Sequence, residues 1–181
     1  MLNAIIANQI SALGGLMPRG TAFSPLGDQE ISEIESAFGS SLPTDYRSFV
    51  SEYGDGTFIN LIRCDVTSTR LVYLGVFYGS GADENSPSHF KWAMKMLCYR
   101  MPSMLMPIAD TAGGEGQICI GMSGDESGKV YYWDRAEGWE GEADDFRKQG
   151  KTYPEHLKFQ NVTLLADTFE RFILSLVAEE E

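Results

Sequence analysis

The side chains best suited to acid–base or metal chemistry in this sequence are its two histidines, His89 and His156. An imidazole titrates near neutral pH, so it can act as a general base, and its neutral form is a common metal ligand. Neither histidine has another His, a Cys or a carboxylate at the spacing of a ligand set. We therefore interpret both as surface or helix-end residues. A small hydrolase that combines one of them with acidic residues ranks last among the functions considered.

Two glycine-containing segments come close to known catalytic or phosphate-binding motifs. Residues 121–125 read GMSGD, which departs from the G-x-S-x-G nucleophile motif at the last position and lies between two predicted strands. Residues 113–116, GGEG, are followed neither by Lys-Ser/Thr nor by a helix, as a phosphate-binding loop requires. Both segments are predicted turns. The sequence therefore predicts no catalytic residue, metal or cofactor, and we predict that the protein is not an enzyme.

Carboxylates are concentrated in one part of the chain. Residues 110–145 contain ten Asp and Glu against Lys129 and Arg135, a balance of −8 within a chain of net charge −12. The cluster could supply paired carboxylates or a hard-cation site, although Asp125 and Glu126 lack the alternating spacing of a calcium loop. It could also be a solvated acidic rim, or a surface that attracts a basic protein and accelerates its association.

One stretch of this segment is the candidate partner-binding surface. Trp139 lies between Glu137 and Glu140, and an aromatic side chain is a common anchor of a protein interface. Its alternative role is to cover an edge of the sheet. The candidate residues are Asp134, Glu137, Trp139, Glu140, Glu142, Asp144 and Asp145.

Composition and local sequence exclude some classes of partner and indicate the cellular compartment of the protein. Nucleic-acid affinity comes largely from Lys and Arg that displace counterions, so this acidic chain is predicted not to bind nucleic acid. The longest mostly apolar run, residues 71–78, is far shorter than the roughly twenty residues of a spanning helix, so no membrane association is predicted. The first residues lack a secretion signal, and the three widely spaced cysteines predict neither a disulfide nor a zinc site. We therefore expect a cytoplasmic protein.

Helix-like segments flank a central group of strand-like segments. Ile31, Ile34 and Phe38 illustrate the helical spacing of apolar residues. The predicted helices cover residues 3–13, 29–38, 43–53, 88–100 and a last segment from about residue 167. The predicted strands cover residues 57–62, 71–78, 117–122 and 129–133, the last two joined as a hairpin.

Methionines are concentrated between Met94 and Met106, where five of the eight fall. Flexible thioethers can line adaptable binding surfaces. Because these occur at helical spacing with Leu97, we assign them to the core instead.

This order of elements predicts an α+β domain with a mainly antiparallel β-sheet flanked by helices. No strand–helix alternation indicates a doubly wound parallel sheet. We divide the chain into an N-terminal helix and connector, residues 1–27, packed on a domain of residues 28–181, with one domain overall. The oligomeric state is left open.

Three blocks of the sequence carry a family pattern. The first is IxxIExxFGxxLPxDYRxFVxEYGDG, beginning at Ile31. The second runs from MPIA at residue 106 through a Gly-rich loop and GQICIGM to KVYYWD at residue 129, and the third is LADTFERFI from Leu165. Together they cover roughly residues 28–177 and resemble the SMI1/KNR4 (SUKH) superfamily, of the bacterial immunity-protein type. Two features depart from the pattern: residues 79–105 are longer than the family minimum, and residues 54–56, GDG, replace the usual Asn-Gly.

The resemblance implies both a fold and a class of function. The implied fold is an antiparallel sheet flanked by helices. Bacterial members are regarded as immunity proteins that bind and neutralise toxins, many of them nucleases, while a fungal branch acts in cell-wall signalling; neither has a shared catalytic centre. We therefore expect stoichiometric binding of a cognate bacterial toxin through the acidic surface, with a basic toxin domain as the partner. A regulatory or scaffold module unrelated to toxins is the alternative.

Overall fold

The computed structural model describes residues 2–81, 83–135 and 140–179, with the backbone alone for residues 140–142. Six helices and nine strands lie within these ranges. The helices are α1 (Ala4–Ala12), α2 (Asp28–Phe38), α3 (Thr44–Val50), α4 (Phe90–Leu97), α5 (Glu140–Lys148) and α6 (Phe169–Ser175). The strands are β1 (Leu16–Met17), β2 (Gly56–Phe58), β3 (Ile62–Thr67), β4 (Arg70–Phe77), β5 (Leu105–Thr111), β6 (Gly116–Gly121), β7 (Val130–Asp134), β8 (Val162–Ala166) and β9 (Val177–Ala178).

Helix α2 shows how local sequence sets the ends of an element. Gly27 is the residue before the helix, and its N–H donates to the Glu30 carboxylate at 2.9 Å. This bond from the first turn back to the preceding residue fixes the start of the helix. It ends at Gly39, whose φ of 65° lies in the left-handed region that closes helices. Between these ends, Ile31 and Ile34 point into the core and are 2% and 1% exposed.

The named strands pair exclusively in antiparallel fashion within the described ranges, in the order β1-β2-β4-β5-β6-β7-β8. β2 and β3 pair with different halves of β4, and β9 pairs with β3. The sheet is strongly curved, because Arg70 of β4 contacts Tyr132 and Asp134 of β7 although β5 and β6 lie between them. In a flat sheet those strands would lie about 14 Å apart, farther than one arginine side chain reaches.

The inner face of the sheet packs against α1, α2, α3 and α6. The ring of Phe49 in α3 lies 4.8 Å from that of Phe77 in β4 and 5.1 Å from that of Phe169 in α6, measured between centroids. Ile6 and Ile10 of α1 belong to the same buried cluster. Removal of this apolar surface from water supplies the main stabilisation of the fold. The predicted α+β fold, with an antiparallel sheet and flanking helices, is confirmed.

The outer face of the sheet is covered over only part of its width. Over β5, β6 and β7, the end of α4 and the residues after it form a second, smaller cluster, and we call this region the covered half. Its buried members are Leu97, Met101, Leu105, Cys119, Tyr131 and Trp133.

The described residues form no such cluster on the outer face of β3, β4 and β9, and we call this face the open half. Leu61, Leu71 and Val177 are 52%, 47% and 40% exposed there. Arg63 lies between them, opposite Tyr73 on one side and Val177 on the other. The open half is therefore a mixture of exposed apolar and charged side chains.

The structure corrects one predicted strand and adds several elements. The strand predicted at residues 57–62 is two strands, β2 and β3, separated at residues 59–61, where the Asn60 side chain donates to the Leu13 carbonyl at 3.2 Å. β3, β5, β8 and α5 were not distinguished by periodicity. No helix in the described ranges combines the length and apolar character needed to cross a membrane.

Candidate functional site

The acidic segment continues from the end of β7 into α5, which lies beside the covered half. Ala143 of α5 is 1% exposed and, with Trp133 and Tyr153, lines a cavity of about 10 Å³. The Phe146 ring lies edge-on to the Tyr153 ring at 5.5 Å. One side of α5 is therefore packed on the molecule, while Asp144 is half-buried and Asp145 is exposed.

Asp144 and Asp145 occupy different environments on α5. The Tyr99 hydroxyl donates to Asp144 Oδ1 at 2.9 Å, and the Arg147 guanidinium lies 3.6 Å from the same oxygen. Burial and this hydrogen bond raise the pKa of Tyr99. Asp145 has a side chain that is 67% exposed, and it lies 3.5 Å from Lys148. Asp144 thus joins α5 to the turn that follows α4, while Asp145 faces solvent.

Asp134 lies at the end of β7 and is 2% exposed. Its carboxylate forms an ion pair with Arg70 of β4. The same guanidinium lies 5.2 Å from the centre of the Tyr132 ring and donates to the Tyr132 hydroxyl at 3.3 Å. Burial and the Asp134 carboxylate raise the pKa of Tyr132 to about 12. Asp134 therefore joins two strands, and its burial gives no support to the contact with a partner that the sequence predicts.

The other candidate residues are described less fully. Glu140 and Glu142 lie in the first half of α5, where the backbone alone is described. Glu137 and Trp139 lie outside the described residues. Their predicted role in binding stays a prediction.

The two histidines occupy the helix-end and surface positions that the sequence predicts. His89 is the residue before α4, and its Nδ1 accepts a hydrogen bond from the Lys91 N–H at 3.1 Å. Its ring stacks on Phe90 and is 3% exposed, so it is a buried cap. His156 is exposed in the short 3-10 turn Glu155–Leu157.

The sequence interpretation missed two carboxylates that are withdrawn from solvent, Asp55, which is buried, and Asp110, which is half-buried. Asp110 accepts a hydrogen bond from the Val76 N–H at 2.6 Å, and burial raises its pKa while Arg19 opposes the shift. Asp55 is 3% exposed, and burial raises its pKa against the same Arg19. The glycine inside β4 was the available signal: a Cβ on Gly75 would lie 2.1 Å from Asp110 Oδ1. Among the described residues, no three His, Cys, Asp or Glu are grouped so that they could hold a metal ion.

A groove between α2 and α4 is the second feature that the sequence interpretation missed. The core assignment of the methionines is confirmed for Met101 and Met106, which are 1% exposed, and is wrong for Met96, which is 36% exposed. Met94 is half-buried and lines the groove together with Phe38 and Cys98. Methionine enrichment was a signal for such a surface, but periodicity cannot separate a groove wall from a core position.

Comparison with known proteins places the chain in a family. The model of the SMI1/KNR4 family (SUKH-1) matches residues 25–175. The chain is also similar to the SPbeta prophage-derived uncharacterized protein YokK of Bacillus subtilis (strain 168), with 26% identity over 169 residues that cover 84% of this chain and 75% of that protein. The matched residues contain α2 to α6 and every strand from β2 to β8. The chain therefore belongs to the SMI1/KNR4 (SUKH-1) family.

Proposed function

We propose that this protein is an immunity protein, which neutralises a cognate bacterial toxin by stoichiometric binding. The observation that carries the proposal is the acidic helix α5 at the surface of a SUKH-family fold. The helix contains four carboxylates against Arg147 and Lys148, within a chain of net charge −12. The sequence resemblance adds that bacterial members of this family are regarded as toxin-binding proteins.

The physical mechanism is electrostatic attraction followed by short-range packing. A concentrated negative potential raises the association rate of a basic partner, and salt weakens this effect. Where the toxin is a nuclease, its active site binds phosphates, and carboxylates on α5 compete for the same cationic groups. Trp139, if it packs against the toxin, supplies the apolar anchor that slows dissociation.

Stoichiometric binding accounts better for the described residues than catalysis does. His89 is occupied as a helix cap, and His156 is exposed in a short surface turn. The carboxyl groups of Asp55, which is buried, and Asp110, which is half-buried, pack against glycine backbone, and Asp110 accepts the Val76 N–H. We propose on this basis that the protein has no reaction of its own.

The proposal is tested with the C-terminal domain of the protein encoded beside this gene. We expect the two purified proteins to form a 1:1 complex that abolishes the toxicity of that domain. A neighbouring gene product that neither binds nor is neutralised contradicts the proposal and favours the regulatory or scaffold module.

The role of α5 is tested by charge reversal. The quadruple substitution to Lys at Glu140, Glu142, Asp144 and Asp145 should slow association by about tenfold or more at low salt and flatten its salt dependence. The matched control reverses four exposed carboxylates outside α5: Glu52, Asp65, Glu115 and Asp167. Both variants change the net charge equally, so an equal loss of association rate in both would show that the total charge acts and α5 has no special role.

A further inference from the structure

Helix α5 buries little apolar surface against the rest of the protein. Of the α5 side chains that the structure describes, Ala143 is buried, Asp144 and Phe146 are half-buried, and the remaining three are exposed. The helix has nine residues, and isolated helices shorter than about 12–15 residues are only marginally stable in water. The position of α5 therefore depends on a small number of specific contacts.

Two of these contacts lie on opposite flanks of the buried residue Ala143. Successive residues of a helix are about 100° apart around its axis, so Asp144 lies about 100° to one side of Ala143 and Phe146 about 60° to the other. On one flank, the Phe146 ring lies edge-on to the Tyr153 ring at 5.5 Å. On the other, the Tyr99 hydroxyl donates to Asp144 Oδ1 at 2.9 Å. A contact on each flank opposes rotation of the helix about its own axis.

Tyr99 is itself contacted by two guanidinium groups. Arg147 of α5 lies 4.7 Å from the centre of the Tyr99 ring, and Arg100 lies 5.0 Å from it. Arg147 also lies 3.6 Å from Asp144 Oδ1, so both charged groups meet at the tyrosine. Burial and the hydrogen bond to Asp144 raise the pKa of Tyr99, and its hydroxyl therefore remains a donor at neutral pH.

We propose that Tyr99 is the positioning residue of the acidic surface: through Asp144 it fixes the rotation of α5 and so determines which carboxylates face the toxin. This inference rests on the proposed function and adds to it the group that orients the binding helix. It also separates two of the candidate residues, because Asp145 faces solvent and can contact a partner, whereas Asp144 acts through the helix. Apparent affinity falls in proportion to the fraction of molecules in the binding-competent state, so an α5 that is already oriented binds more tightly.

The hold of Tyr99 on α5 is measurable in the protein alone. Tyr99→Phe removes the hydroxyl and keeps the aromatic ring. We expect amide hydrogen exchange of residues 143–148 to become about tenfold faster, as for the loss of one hydrogen bond to a charged group, with exchange of the buried strand β6 unchanged. The matched control, Tyr73→Phe, removes a hydroxyl from the open half and should not affect α5. Unchanged exchange of α5 in Tyr99→Phe would overturn the inference.

A second pair of variants tests whether Tyr99 acts through Asp144. Asp144→Ala and Asp145→Ala remove the same atoms and the same charge at adjacent positions, and only the first should accelerate exchange of α5. Asp144→Asn keeps an oxygen that accepts from the Tyr99 hydroxyl, so it should restore most of the protection. Tyr99→Phe added to Asp144→Ala should have no further effect, because both changes remove one hydrogen bond. Equal exchange in the two alanine variants would contradict this link.

The binding test uses the C-terminal domain of the protein encoded by the adjacent gene. We expect Tyr99→Phe to weaken its binding by about fivefold or more. The salt dependence of the association rate should stay the same, because the net charge of −12 is unchanged. If the complex forms and Tyr99→Phe binds as tightly as Tyr73→Phe, the inference is wrong while the proposed function stands. If no complex forms, both proposals fail.

Discussion

The covered and open halves of the outer sheet face are built from the same curved sheet, yet they are stabilised in different ways. On the covered half, Trp133 and Cys119 are 2% and 0% exposed beneath the end of α4. On the open half, Arg63 lies 3.1 Å from Asp65 and 3.0 Å from Glu179, and all three are partly or largely in solvent. The first arrangement removes apolar surface from water, and the second pairs charges that remain hydrated.

This difference indicates where the stability of the sheet resides. Apolar burial contributes about 25 cal/mol per Å². An exposed ion pair contributes about 1 kcal/mol or less, since its charges are already well solvated. The covered half should therefore be intolerant of substitution, and the open half tolerant. The acidic helix lies at the border of the covered half, so a well-packed base supports the surface proposed to bind a partner.

The most direct test of this difference in stability is the same substitution, Leu to Ala, on both halves. Leu105→Ala in β5 removes a side chain that is 3% exposed, and Leu71→Ala in β4 removes one that is 47% exposed. We expect the first to lower the free energy of unfolding by about 2–5 kcal/mol through lost burial and a residual cavity. The second should cost about 0.5 kcal/mol or less. Urea denaturation of both variants measures the difference, and similar midpoints would refute the division.

Ion pairs should show the same contrast with a smaller amplitude. Asp134→Asn weakens the pair with Arg70, in which the Asp134 side chain is 3% exposed and the Arg70 side chain 36%. We expect a loss of about 1–3 kcal/mol, because the buried member of the pair loses the charge that binds the Arg70 guanidinium. Asp65→Asn, at a side chain that is 59% exposed, serves as the control and should change stability by about 0.5 kcal/mol or less. A larger loss for Asp65→Asn would reverse the expected order.

The smallest effect is expected at Asp110, where β5 meets β4 between the two halves. Burial raises the pKa of this carboxyl, so folding favours its protonated form. Its stabilising contribution is complete below about pH 4 and is lost as the pH rises through the higher folded pKa. Asp110→Asn keeps an oxygen acceptor for the Val76 N–H and does not titrate. Relative to the unsubstituted protein, this variant should become more stable as the pH rises above about 4. A difference in unfolding free energy that is constant with pH would contradict the assignment.

The elements that sequence patterns predicted are those with strong local signals. α2 and α3 have apolar residues at helical spacing and glycines near their ends, and β6 and β7 form the predicted hairpin. By contrast, β8 has residues of intermediate burial with no alternation, and α5 has few apolar residues. Both depend on contacts with distant parts of the chain, to which a local pattern is insensitive.

The candidate site divides in the same way. The acidic character of residues 110–145 is a property of composition and needs no structure to be seen. The burial of Asp134 could not be predicted, because Arg70 is 64 positions away in sequence and reaches it only through the curvature of the sheet. The groove likewise depends on the separation between α2 and α4, and no pattern in either helix encodes that distance.

The sequence by itself determined the family, the fold class, the antiparallel hairpin and the net negative charge, because these follow from residue order, local periodicity and composition. The tertiary structure alone decided which carboxylates reach solvent, which half of the outer sheet face is covered, and that an apolar groove opens beside Tyr99 and Asp144. The physical reason is that the exposure of a side chain and the shape of a groove depend on how helices and a curved sheet pack together. That packing is set by contacts between residues far apart in the chain.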